Sequence, residues 1–199
     1  MTATKKAQPR GRPRSFDIDE AVDRAVKLFH RRGYDAVGVA ELGSELGIKP
    51  PSFYAAFGSK AGLFEQALER YTASKANVFN NALLEGGSVA EVIERTLLEA
   101  ARIYPERDGT AGCLVIDGAR NSTDPEARAL VAALKVAGRA RIRDFIATEF
   151  PTRSDELADL LVIALAGMSS AARDGAKAST LKAFAEAASR AFRHEAARA

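Results

Sequence analysis

The stretch GVAELGSELGIKPPSFYAAFG, residues 38–58, reads as two short helices with a tight turn between them. Val39, Leu42 and Leu46 share one face of the first helix. Gly47 with Ile48 makes the turn, and Pro50 and Pro51 open the second helix, where a missing N–H breaks no intrahelical bond. Phe53 and Phe57, four apart, bury one face of that second helix, and Gly58 ends it with Ser59 available to cap the next one. Two short helices joined in this way behind a stabilising first helix make a helix-turn-helix, the unit that lays its second helix in a major groove of DNA.

Working outward, Asp17 with Glu20 predicts the start of that first helix, with Val22, Ala25, Val26 and Phe29 at helical spacing until Gly33. On the other side, a helical stripe from Leu63 and Phe64 through Tyr71 and Val78 to Leu83 predicts one long helix, broken at Gly86-Gly87. Ser88 with Glu91 forms a capping box for the next helix, which Tyr104-Pro105 closes. After a short apolar segment, Cys113 to Ala119, Thr123 or Asp124 caps a helix with Pro125 in its first turn, running to about Phe150. Ser154 and Ser179 precede the two most regular stripes of all. No alternating strand pattern and no repeat occurs, so the expectation is an all-α chain of about nine helices. It divides into an arm at 1–15, a helix-turn-helix head at 16–64 (the motif at about 38–57) and a helical body at 65–199.

The 199 residues are 47% apolar, enough to bury a core, and the net charge is only +3. Residues 1–60 hold 11 basic and 7 acidic side chains, residues 61–199 hold 18 and 19, so the whole excess lies in the first third. The arm carries Lys5, Lys6, Arg10, Arg12 and Arg14 with no acid, and its Gly11-Arg12-Pro13-Arg14 suits a narrow A·T minor groove. One Cys and two His exclude an internal disulfide framework and a zinc finger, and no cofactor or metal is expected. The basic start lacks an apolar signal region and no stretch approaches a membrane span, which fits a cytoplasmic location. Nucleotide-binding loops, the G-x-S-x-G elbow and H-E-x-x-H are absent, which argues against an enzyme.

On the second motif helix, Phe53 and Phe57 face inward and leave Pro51, Ser52 and Ala55 outward, small enough for the backbone to approach the bases. Ser52 suits a base edge or a phosphate and Ala55 a thymine methyl, while Lys49, Tyr54 and Lys60 reach for phosphates. The run Phe29-His30-Arg31-Arg32-Gly33-Tyr34, then Val39-Ala40-Glu41-Leu42, Leu46-Gly47-Ile48 and Ser52 to Phe64 closely resembles the DNA-binding domain of the TetR/AcrR family of transcriptional regulators. The resemblance covers residues 16–64 in matching order and spacing. It implies that Tyr54 and Lys60 bind backbone phosphates, and it departs from the family at Gly38, usually a Thr or Ser cap, and at Ala56, often His.

The resemblance further implies an all-helical homodimer on a quasi-palindromic double-stranded operator, most simply a repressor, released by a small-molecule effector held in the body. The last two stripes are then the dimer interface, with Leu157, Leu161, Ala164, Leu165, Met168, Leu181, Phe184, Ala188 and Phe192 as its candidates. Tyr71, Tyr104, Cys113, Phe145 and Met168 are the effector-pocket candidates. Cys113 offers a sensor thiol but reads better as a small buried hydrophobe beside Leu114, Val115 and Ile116. Arg139, Arg141 and Arg143 diverge by about 200° in turn around a helix and read as solvated surface. The alternatives from other classes are a helical protein-interaction module without DNA binding and a small helical enzyme.

Overall fold

In the computed structural model, which describes residues 16–198, the chain forms ten α-helices and, among those residues, no strand. The head consists of α1 (Ile18–Arg32), α2 (Val39–Leu46), α3 (Pro50–Phe57) and the start of α4 (Lys60–Thr72). Asp17 caps α1 by accepting from the N–H groups of Asp19 and Glu20 at 2.8 and 3.2 Å. Glu20 pairs with Arg24 instead of reaching back, so only half of the capping arrangement forms. The turn glycine Gly47 has φ +67°, left-handed backbone that a side chain would strain, and this is what lets α2 turn sharply into α3. Ser59 Oγ accepts from Gly62 N–H at 2.9 Å to start α4, and a Cβ on Gly62 would lie 2.1 Å from the Phe57 carbonyl oxygen. Phe29, Phe53 and Phe64 fill the head completely buried, with the Phe29 and Phe64 rings edge to face at 5.0 Å.

The body adds α5 (Val78–Leu84), α6 (Val89–Ile103), α7 (Leu114–Asp117), α8 (Pro125–Ile146), α9 (Ser154–Arg173) and α10 (Ala178–Ala196). Its axis is α6, whose Val92, Ile93, Leu97 and Ala100 have no exposed surface and pack against α5, α9 and α10. The capping box ahead of it forms in full, with Glu91 accepting from Ser88 N–H at 2.8 Å. Asp124 caps α8.

The single long helix expected from Leu63 to Leu83 is two helices, and the apolar segment from Cys113 to Ala119 contains the short α7, so the count is ten rather than about nine. Ser74 Oγ donates to the Tyr71 carbonyl at 2.7 Å, Asn77 Nδ2 donates to the Thr72 carbonyl at 3.0 Å, and Asn77 Oδ1 caps α5. These short polar side chains satisfy the backbone groups that a continuous helix would have paired. The last two helices begin at Ser154 and Ala178, so neither Ser154 nor Ser179 stands at the cap.

Candidate functional site

On α3 the division of faces follows the spacing: Phe53 and Phe57 are buried, while Pro51, Ala55 and the neighbouring Lys49 are exposed, Tyr54 is 52% exposed and Ser52 half-exposed. The helix therefore presents a small-residue face that carries no acid, flanked by a phenol and an ammonium group. Lys60, the first residue of α4, is half-buried. Its Nζ lies 3.9 Å from the centre of the Tyr34 ring, and burial lowers its pKa while Asp35 and Asp124 act to raise it. Gly38 caps α2 with no side-chain bond, and Ala56 is half-buried. Arg10, Arg12 and Arg14 lie outside the described residues.

A polar seam joins head to body. Tyr34 hydroxyl donates to Asp124 at 2.7 Å, Ser122 Oγ donates to Asp35 at 2.5 Å, and Tyr34 N–H donates to the Gly118 carbonyl at 2.7 Å. Deeper in, Cys113 N–H donates to Ser169 Oγ at 2.8 Å and that hydroxyl donates to Asp117 at 2.5 Å. Arg173 donates to Asp117 and to the His30 carbonyl, each at 3.1 Å. His30 Nε2 lies 3.1 Å from the Gly112 carbonyl, and since a carbonyl only accepts, the ring donates from that nitrogen. Burial lowers the His30 pKa and keeps the ring neutral. One continuous set of bonds thus runs from Cys113 in the body to α1 in the head.

Cys113 is also the wall of a cavity of about 650 Å³ beneath α8. Tyr71 and Tyr104 line it as well, so three of the five effector candidates come together there. The other two do not. Phe145 packs its ring on Phe79 at 5.9 Å, and Met168 is buried in the core outside the lining. Burial pushes the Cys113 thiol up, which keeps it protonated and a poor nucleophile. Between Val131 and Ile142 no residue of α8 is buried, and this middle span roofs the cavity with Leu134, Lys135 and Gly138. The basic residues read as solvated surface divide here: Arg139 and Arg141 line the cavity and Arg143 does not, a distinction their sequence spacing does not carry.

The stripes on α9 and α10 require a correction. Leu157, Leu161, Ala164, Leu165, Met168, Leu181 and Phe192 are buried within the chain's own core, and Leu165 lines the cavity. A side chain already covered by its own fold has no surface left for a partner. Of the expected interface residues Phe184 is 46% exposed and Ala188 half-exposed, and the same outer face carries Ile163, 70% exposed, with Gly167, Ala187 and Ala191. No helix among the described residues is long and apolar enough to cross a membrane.

A family profile described as bacterial regulatory proteins, tetR family, matches residues 21–67, from within α1 to α4. Over 175 residues, 88% of each chain, the sequence is 41% identical to the HTH-type transcriptional repressor BdcR of Escherichia coli K12. The chain belongs to the TetR family of bacterial regulatory proteins. A second TetR-type relative, the HTH-type transcriptional repressor ComR of the same organism, is 33% identical over 84% of each chain. Among solved structures, a cysteine-substituted TetR-family regulator, CifR, in complex with 26-base-pair double-strand operator DNA matches with a TM-score of 0.80 and 35% identity. That match covers 91% of this chain and 99% of the other, so the TetR likeness extends through head and body alike. The relatives are transcriptional regulators and not enzymes.

Proposed function

We propose that two copies of the chain pair through the outer faces of α9 and α10 and set their α3 helices into successive major grooves of a quasi-palindromic operator, about one helical turn apart. Bound there in the cytoplasm, the dimer represses transcription. The observation that carries this reading is the α3 face: small residues at Pro51, Ser52 and Ala55 over a floor of buried Phe53 and Phe57, with Tyr54 and Lys49 at its edges. Lys60 supplies a further phosphate contact from the start of α4, and the arginines of the arm supply others. The likeness to an operator-bound TetR-family structure supports the same docking.

A small-molecule effector in the α8 cavity releases the dimer. The polar seam supports this step, because Cys113 on the cavity wall is bonded through Ser169, Asp117 and Arg173 to the carbonyl of His30 on α1. An effector that repositions the 112–118 segment therefore repositions α1, provided it binds the two states unequally, by about 1–3 kcal/mol.

The test is the salt dependence of operator affinity. Log affinity falls steeply against log salt, and Lys49→Ala reduces the slope by about one on every DNA sequence. A flat dependence would leave the chain as a protein-interaction module.

A further inference from the structure

The α8 cavity joins an apolar interior to a rim of a single charge. Phe79, Leu134 and Ile142 are among its apolar walls, and every charged side chain on its lining is cationic: Arg120, Lys135, Arg139 and Arg141. Two of the four are neutralised, Arg120 by Asp117 and Arg139 by Asp155 and Asp159. The other two have neutral partners among the described residues: Lys135 Nζ donates to the Ile116 carbonyl at 2.9 Å and Arg141 to Asn80 Oδ1 at 2.7 Å. Burial lowers the Lys135 pKa and the nearby Arg120 lowers it further, against a smaller opposite effect of Asp117, which is itself paired with Arg120 and Arg173. Deeper inside, the buried Tyr71 hydroxyl makes no well-formed hydrogen bond among the described residues, with only the Cys113 thiol, a weak partner, and the Leu114 backbone near it, a demand that a polar group on a ligand would meet better.

We propose that the cavity binds an organic anion with an apolar body, the anionic group held by Lys135 and Arg141 at the rim and a polar substituent reaching the Tyr71 hydroxyl. The inference rests on the cavity being the effector site and adds the chemical class of the effector. A volume of about 650 Å³ suits a molecule of a few fused or linked rings. A cationic amphiphile meets the two cations that lack a carboxylate partner, and a neutral one leaves Lys135 and Arg141 without an anion.

Two probes of one aromatic body separate charge from shape: anilinonaphthalene sulfonate, an anion, and N-phenylnaphthylamine, its uncharged counterpart. Both are titrated into the full-length chain and followed by fluorescence. The sulfonate binds roughly tenfold tighter, Lys135→Gln removes that preference while leaving the neutral probe unchanged, and Lys135→Arg restores it. Equal affinities, failure of both probes to bind, or a preference that survives in the Lys135→Gln, Arg141→Gln double variant overturns the proposal. Operator affinity is measured beside each titration. Binding of the sulfonate that depends on Lys135 yet leaves operator affinity unchanged upholds the anion site and removes its reading as the effector site. Release of operator by both probes with no charge preference keeps the effector site and overturns the anion.

Discussion

His30 sits where head meets body, its ring edge to face with Tyr71 at 5.4 Å and its Nε2 on the Gly112 carbonyl. Burial depresses its pKa below the ordinary 6.5, and the neighbouring Arg173 adds to the effect. The unfolded chain therefore binds a proton near pH 6.5 that the folded chain accepts only at lower pH. Stability is complete above that pH and declines as pH falls from it toward the folded value. His30→Gln, which keeps a donor, flattens the dependence of the denaturation midpoint over roughly pH 5 to 7; a slope equal to that of the unaltered chain would refute this. Nothing in the sequence marks the contact, since its partner lies 82 residues away and is a backbone atom. The bonds of Asp117 to Ser169 and Arg173 span 52 and 56 residues, so its spacing from them carries no signal either.

Among the elements, α2 starts without a side-chain cap, as α3, α7, α9 and α10 also do, and its N-cap residue is a glycine. Gly38 has φ −85°, an ordinary value, and a Cβ there would meet nothing within 4 Å. Gly38→Ser supplies the missing acceptor and stiffens the unfolded chain, and stabilises the protein by about 0.5–1 kcal/mol. The urea midpoint rises at constant slope; an unchanged midpoint contradicts the account. Helix ends of this kind were legible where glycine or proline marks them, as at Gly33, Gly47, Gly58 and Pro125. The break between α4 and α5 was not, because Tyr71 and Val78 are seven apart and keep the apolar stripe in phase across it, while Ser74 and Asn77 act through side-chain bonds. The α3 face was fully readable, since one short amphipathic helix has a single way to bury two phenylalanines four apart.

For the molecule as a whole, a stripe identifies the face a helix buries but not what buries it. On α9 and α10 the strong stripe belongs to the chain's own core, and the outer face is a weaker pattern of small residues around Ile163 and Phe184. If that outer face pairs two copies, Phe184→Glu places a carboxylate in a desolvated contact and yields monomers by sedimentation, with the helical circular dichroism unchanged. Operator affinity falls at least ~10²-fold, because each head then binds a half-site alone. A variant that remains dimeric would exclude this face.

The roof of the cavity carries a consequence for how signal and sturdiness relate. Ala127 and Val131 anchor one end of α8 and Ile142 and Ile146 the other, while the span between them has no buried side chain of its own. Few apolar contacts oppose its local opening, so that span gives a small molecule a route inward that leaves the head folded. Once inside, the molecule acts as the missing hydrophobic filling, and the chain gains rigidity in proportion to occupancy. Sensing is therefore bought with an unfinished core: a descendant whose own side chains closed that space would be hardier and deaf to its signal.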